Sequence, residues 1–205
     1  MKKKSLAIGI ASAAALGAVV LSFSRPGKQP AEALPEVEIA RIPVLQTIDA
    51  RQSHRSFSTR ELDKKTLSEI LWAAFGKNTH GTRTIPTANN KQALGVYAIT
   101  NTGAYSYDGE ENRLVLRTKQ DLRPLFAQQD FVSTAPLTIL FTGTDAVSSP
   151  IHAGAAVQNL GLYTAASDGL GGVARAFYDK EAVAKALVLA EGEQPIISYT
   201  IGYKE

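Results

Sequence analysis

The side chains best suited to bind an anion lie together at residues 51–57, in the run Arg-Gln-Ser-His-Arg-Ser-Phe. Arg51 and Arg55 carry permanent charge and forked N–H donors, which match the oxygens of a phosphate. Gln52 and Ser53 add short polar groups to the same stretch. Arginines four positions apart share one face of a helix and also one face of an extended chain. The same composition also fits a solvated basic surface without a ligand.

A second polar run, residues 83–92, combines groups that can read the edge of a heterocyclic ring. Pro86 stiffens this loop just before a β-rich segment. Thr87, Asn90 and Gln92 offer hydroxyl and amide groups, which can both donate and accept hydrogen bonds. A capped loop that leads into a strand is the alternative interpretation.

The third candidate is the glycine-rich run Gly169-Leu-Gly-Gly172, which follows an alanine-rich stretch. Glycines there allow positive φ and let backbone amides approach a ligand closely. An ordinary C-terminal helix cap explains the same residues. The run is not the dinucleotide-binding G-x-G-x-x-G, because it follows a helix instead of opening one after a strand.

Other kinds of site find little support in the sequence. The chain has no cysteine, which excludes disulfides, thiolate metal sites and a cysteine nucleophile. Its three histidines, His54, His80 and His152, are too scattered for a zinc motif, and its serines lack the G-x-S-x-G elbow. We therefore predict neither a catalytic side chain nor a metal site.

The net charge of +3 is concentrated at the N-terminus. Residues 1–33 contain five basic residues and one acidic residue, so the remainder of the chain sums to −1. A nearly neutral body gives no reason to expect a nucleic-acid partner, because such partners are attracted by basic patches.

The first residues have the layout of an export signal. Lys2–Lys4 are basic, residues 6–23 carry no charge, and Ala31-Glu32-Ala33 is a small-x-small cleavage site. The uncharged run of eighteen residues also reaches the length of a membrane span. A cleaved signal and an uncleaved tether through residues 6–23 both remain open, and a buried N-terminal helix is the alternative. We expect an exported protein, periplasmic or otherwise extracytoplasmic.

The division of the chain follows from this layout and from its prolines. We predict a signal peptide or membrane anchor at 1–33, a Pro-rich tether at 34–45 and one domain at 46–205.

Within the domain, helix-like and strand-like segments alternate. The predicted helices are 63–75, 121–128, 152–167 and 179–189, and the predicted strands are 95–100, 104–107, 113–117, 136–142 and 195–203. Residues 136–142 are continuously apolar, which predicts a central strand buried on both faces. We predict an α+β fold in which helices flank a mixed sheet.

Taken in order, these runs resemble the nitroreductase family of flavoproteins, especially the branch related to the SagB-type dehydrogenases. The resemblance covers roughly residues 45–203. Residues 51–57 look like R-x-S-x-R-x-F/Y, residues 71–76 and 83–92 like L-W-A-A-x-G followed by R-T-x-P-S/T-A-x-N-x-Q, residues 153–162 like the long central helix, residues 169–177 like the turn that faces the flavin ring, and residues 201–203 like the closing strand.

The resemblance implies an FMN-dependent oxidoreductase of nitroreductase-like fold. Such an enzyme passes hydride or electrons, in ping-pong fashion, from a reductant such as NAD(P)H to a small organic acceptor (nitro, quinone or similar). The resemblance implies cofactor contacts from Arg51, Gln52, Ser53, Arg55, Pro86, Thr87, Asn90, Gln92, Gly172 and Val173. It also implies a homodimer that packs through the central helix. The alternatives are an exported module that binds flavin or a partner without catalysis, and a structural envelope protein without a cofactor.

Overall fold

The computed structural model describes residues 30–38 and 43–205. In chain order the elements are β1 (Ala31–Ala33), α1 (Val44–Ala50), α2 (Lys64–Phe75), a 3-10 turn (Ala88–Asn90), β2 (Leu94–Thr100), β3 (Gly103–Asp108), β4 (Arg113–Thr118), a second 3-10 turn (Arg123–Phe126), α3 (Phe131–Thr134), β5 (Leu137–Gly143), α4 (Ser148–Ala166), β6 (Leu170–Arg175), α5 (Lys180–Leu187) and β7 (Gln194–Tyr203).

The strands form one seven-stranded sheet in the order β1-β4-β3-β2-β5-β7-β6. We expected a mixed sheet, and all six strand pairs are antiparallel. Every residue of β5 is buried, which confirms the prediction of a central strand covered on both faces. Together with the helices packed on this sheet, the architecture confirms the predicted α+β class.

Helix α2 forms where its capping residues predict it. The Asp63 side chain accepts a hydrogen bond from the Thr66 N–H at 2.7 Å, which satisfies one free donor of the first turn. The helix ends at Phe75, with Gly76 as its C-terminal cap. Ile70, Leu71 and Ala74 fall on one face and are fully buried against the sheet, so this helix is held by its apolar side.

Two predicted helices differ in detail. Helix α4 begins at Ser148 instead of His152. Pro150 lies in the first turn of the helix, where a proline is tolerated because the backbone N–H groups of that turn form no hydrogen bond within the helix. The Asp145 carboxylate accepts hydrogen bonds from the N–H groups of Val147 and Ser148, which stabilises this early start. The helix predicted at 121–128 is only the 3-10 turn Arg123–Phe126, with Pro124 near its start.

Helix α4 lies on the sheet between α2 on one flank and α1 on the other. On the α2 flank, the Asn159 side chain donates to the carbonyls of Ala73 at 3.0 Å and Thr84 at 3.2 Å. On the opposite flank, the side chain of Arg51, which follows α1, covers Gly161. The two flanks of one helix therefore contact different parts of the chain.

The segment before the domain is docked against it. β1, which contains the residues of the predicted cleavage site, pairs with β4 at the sheet edge. The Leu34 N–H donates to the Asn112 carbonyl at 2.9 Å, and the Asn112 side chain donates to the Pro35 carbonyl at 2.9 Å. Residues 34–38 of the predicted tether thus include direct contacts with the β3–β4 turn. The domain boundaries themselves stay predictions.

No helix among residues 30–38 and 43–205 is long and apolar enough to cross a membrane. The predicted signal or span at residues 6–23 lies outside the described residues.

Candidate cofactor site

The arginine-rich run adopts an extended conformation along the edge strand β6. Helix α1 ends at Ala50, so Arg51 and Arg55 are not on a helix. The His54 N–H donates to the Gly172 carbonyl at 3.0 Å. Phe57 then pairs with Lys204 and is 1% exposed. The fold therefore holds this run by its middle and by its end.

The polar side chains of this run are available to a ligand. Arg51, Gln52, Ser53 and Arg55 are all exposed. Neither arginine forms an ion pair with any carboxylate of the described residues. Two uncompensated guanidinium groups and a hydroxyl on one short segment fit the phosphate of FMN, because that group needs cationic, forked donors.

The aliphatic part of Arg51 is fixed by close packing. A Cβ added at Gly161 of α4 would lie 3.3 Å from Arg51 Cδ, so the glycine leaves room for the side chain. Tyr199 and Thr164 lie next to this contact, with their hydroxyl oxygens 3.4 Å apart. Burial raises the pKa of Tyr199, and the Arg51 charge acts in the opposite direction. The aliphatic part of the Arg51 side chain therefore lies against neutral residues of α4 and β7.

Gly172 and Val173, which the sequence analysis places in a turn, are buried residues of strand β6. They pair with Ile201 and Thr200 of β7. A Cβ at Gly172 would lie 2.3 Å from the Tyr199 ring. The Val173 side chain packs in a small core with Phe57, so its side chain faces the protein interior. Of the glycine-rich run, Gly169 has a positive φ of 74° and forms the turn before the strand.

His54 joins the extended run to β6. A Cβ at Gly171 would lie 2.8 Å from the Cβ of His54, so the two segments approach as closely as a glycine permits. Burial and then the nearby Lys204 charge lower the pKa of His54. The structure therefore brings together two of the three predicted groups, residues 51–55 and residues 171–173.

The third group lies elsewhere, in the loop between α2 and β2. Pro86, Thr87 and Asn90 line a cleft of about 450 Å³, which is within the range of ligand pockets. Asn89 and Asn90 have positive φ values of 52° and 55°, so two successive residues adopt the left-handed conformation. The Ala88 N–H donates to His152 Nε2 on α4 at 2.9 Å.

Gln92 of this group already has a structural partner. Arg83 Nε donates to its side-chain oxygen at 2.8 Å. The same guanidinium pairs with Glu110 at 2.8 Å and lies 4.8 Å from the centre of the Phe75 ring. Arg83 thus ties the loop to the β3–β4 turn and to α2. The acidic β3–β4 turn supplies one of these contacts through Glu110.

The two halves of the predicted site lie on opposite sides of α4. Ala88 contacts His152, whereas Arg51 contacts Gly161. These α4 positions are nine residues apart, which is about two and a half turns and about 13 Å along the axis. A cofactor bound to both halves within one chain would have to cross the helix. Residues 51–55 and 86–90 therefore do not form one pocket in a single chain.

The sequence analysis assigned His152 and Asn159 no part in the cofactor site, and both contact the loop that contains Pro86 and Asn90. His152 bonds to Ala88, and Asn159 bonds to the Thr84 carbonyl. The sequence contained a clue to His152: it is a polar residue close to the helical face that carries Ala153, Ala156 and Leu160, which are fully buried. A polar group at such a position needs a partner from elsewhere in the chain.

Comparisons with known proteins agree with this architecture. The family model described as "Nitroreductase family" matches residues 48–203. A crystal structure of a "putative nitroreductase" from Ralstonia eutropha JMP134 is similar at a TM-score of 0.80 and 34% identity, over 89% of this chain and 93% of that chain. A "putative nitroreductase" from Methanocaldococcus jannaschii is 26% identical over 194 residues, or 83% of this chain and 95% of its own.

An FMN-dependent nitroreductase from Clostridium difficile R20291 shares the fold at a TM-score of 0.59 and 16% identity, over 78% of this chain and 87% of its own. The family match covers most of the described domain, and the Ralstonia relative is similar over nearly its whole length. The chain therefore belongs to the nitroreductase family.

Proposed function

We propose that this protein is an FMN-dependent oxidoreductase that transfers hydride or electrons from a reductant such as NAD(P)H to a small organic acceptor. Family membership makes the chain an oxidoreductase. The observation that carries the cofactor is the exposed pair Arg51 and Arg55, which has no carboxylate partner among the described residues. An anionic cofactor compensates such a pair.

The extended run holds the phosphate end of FMN in this proposal. Arg51 and Arg55 provide the charge, and Ser53 and Gln52 provide neutral hydrogen bonds. The run is preorganised, because His54 is bonded to Gly172 and Phe57 is buried. Preorganised donors bind a ligand more tightly than donors that must first be ordered.

The loop after α2 contacts the flavin ring in this proposal. Pro86 and Thr87 line the cleft, and the Asn90 amide is the group that can read the polar edge of the ring. Gln92 supports Asn90, since its side-chain nitrogen lies 3.3 Å from the Asn90 side-chain oxygen. Gly172 and Val173 contribute through the backbone of β6, because the Val173 side chain is buried in the core.

When bound, FMN supplies the redox chemistry, alternating between the reductant and a nitro, quinone or similar acceptor. The chain therefore has to bind and orient the two reactants and needs no acid–base pair of its own. Among the described residues, no group of three or more histidine or acidic side chains could hold a metal ion.

We propose that two chains complete each site as a homodimer. The two groups of proposed cofactor contacts, residues 51–55 and residues 86–90, lie on opposite sides of α4. The exposed surface of α1 and of the start of α4 includes several apolar side chains. Val44, Leu45 and Ile48 on α1 are 60%, 77% and 50% exposed, and Ile151 on α4 is 66% exposed. A second copy that covers this surface would bury it and could bring its own Asn90 loop to the first copy's Arg51 segment.

The place of action is part of the same proposal. The basic start and the uncharged run of the leader support export, with residues 6–23 as a cleaved signal or a membrane tether. NAD(P)H is a cytoplasmic reductant, so the donor depends on the location. An enzyme kept in the cytoplasm can use NAD(P)H, and an exported enzyme takes its electrons from another reductant. Cell fractionation with the full chain tests the location.

The decisive experiment is the visible spectrum of the purified protein, followed by anaerobic addition of NADH or NADPH. Bound FMN that bleaches supports the enzyme and identifies its reductant. Bound FMN that bleaches with dithionite but with neither nucleotide excludes them as donors. A protein that shows no flavin absorbance after incubation with FMN and removal of the unbound flavin contradicts the proposal and favours a module without a cofactor. Light scattering on the same sample gives the number of chains.

A further inference from the structure

His152 lies inside the protein with only one ring nitrogen hydrogen-bonded. The residue is 2% exposed, and its Nε2 accepts the Ala88 N–H at 2.9 Å. A neutral ring that accepts at Nε2 carries its proton on Nδ1. That Nδ1 is buried and has no partner among the described residues. The unsatisfied Nδ1–H costs at least as much free energy as the hydrogen bond from Ala88 contributes. The stability of the fold alone therefore does not explain an imidazole at this position.

The group that His152 holds is an exposed turn of unusual backbone. Residues 87–91 are closed by the bonds Asn90 N–H to Thr87 carbonyl and Lys91 N–H to Ala88 carbonyl. Asn89 and Asn90 both have positive φ, a conformation that asparagine adopts more readily than other residues with a side chain. Among the hydrogen bonds of the described residues, Ala88 to His152 is the one that joins this turn to another element.

We propose that His152 is a positioning residue for the cofactor site. By accepting the Ala88 N–H, it holds residues 87–91 in the conformation that presents Asn90 to the flavin ring. The consequence for FMN rests on the proposed function, whereas the hold on the turn does not. His152 acts through the backbone of Ala88 and has no part in the redox chemistry.

The first test measures the turn itself, in protein freed of flavin. His152→Leu introduces an apolar side chain of similar size that has no hydrogen-bond acceptor. His152→Gln places an amide oxygen near the position of Nε2. Amide hydrogen exchange of the peptide that contains residues 87–91 should be faster in the Leu variant and close to wild type in the Gln variant. Exchange in strand β3, which pairs with β2 and β4, is the internal reference.

The second test measures FMN affinity in the full-length protein. Loss of one hydrogen bond that orders the site should weaken FMN binding about tenfold in His152→Leu, and His152→Gln should restore most of it. A second variant, His152→Met, keeps a side chain of similar volume and has only a weak acceptor in its thioether sulfur. It should weaken FMN binding to a similar extent.

The outcomes separate this inference from the function on which it draws. Unchanged exchange of residues 87–91 in His152→Leu overturns the proposal, and so does faster exchange with unchanged FMN affinity. If the Leu variant does not fold, His152→Met decides alone, and wild-type FMN affinity in it overturns the proposal. If wild-type protein binds no FMN, the proposed function fails, and the exchange data still decide whether His152 holds the turn.

Discussion

Replacement of Gly171 by alanine should release the extended run from the sheet edge. An added Cβ would lie 2.8 Å from the Cβ and Cγ of His54 and 2.9 Å from Lys204 Cγ. The Cβ of His54 is attached directly to the backbone and cannot rotate away, so the run itself must move. Overpacking of this kind costs about 1–3 kcal/mol, and strain on the bond from His54 N–H to Gly172 adds about 0.5–1.5 kcal/mol. We expect a loss of about 2–4 kcal/mol in the free energy of unfolding.

The displaced run should also bind FMN more weakly, because Arg51 and Arg55 lie on either side of His54. Urea denaturation measures the stability loss, and fluorescence titration with FMN measures the affinity. Gly154→Ala is the matched control, because nothing lies within 4 Å of a Cβ at that exposed helical position. It should be stabilised by about 0.5–1 kcal/mol through helix propensity. Wild-type stability and affinity in Gly171→Ala would refute the view that close approach to β6 positions the run.

Three further outcomes follow from single side chains. Arg55→Ala should weaken FMN binding about ten- to a hundredfold with little change in thermal unfolding, because the side chain is exposed and an ionic hydrogen bond is worth about 1.5–3 kcal/mol; wild-type FMN affinity would remove Arg55 from the site. The pKa of His54 is lowered from 6.5, so the unfolded chain binds more protons just below pH 6.5; stability in urea should fall as pH drops through that value, and His54→Gln should flatten the profile. Val188 is 75% exposed with φ 51° at the end of α5, so Val188→Gly should raise stability by about 1 kcal/mol, and a lower melting temperature would contradict this.

Local rules were sufficient where the determining interactions lie within a few residues. Asp63 and Gly76 delimit α2 because capping involves only neighbouring backbone groups, and Asp179 caps α5 in the same way through the Ala182 N–H. The uncharged, mostly apolar run at 136–142 predicted a strand covered on both faces, and the structure confirms it as β5. The same rules misplaced the start of α4, because they gave too little weight to Pro150 and to the Asp145 cap.

The glycine-rich run shows why local rules fail elsewhere. Gly171 and Gly172 suggested a turn, yet they pair with β7 as part of a strand. Their lack of a side chain is needed by His54 and Tyr199, which are distant in sequence and packed against them. No window of neighbouring residues contains that information, because the steric demand comes from other elements of the fold.

The sequence by itself determined the family, the α+β class and the residue types of the predicted cofactor contacts, because these follow from residue identity, order and short-range periodicity. Only the tertiary structure decided that the segment with Arg51 and Arg55 lies extended along β6. It also decided that Gln92 accepts a hydrogen bond from Arg83 and that the loop with Asn90 is hydrogen-bonded to His152. The tertiary structure also places residues 51–55 and residues 86–90 on opposite sides of α4. The reason is physical: a side chain's type is local, but its partners and its distance from another group depend on how the whole chain packs.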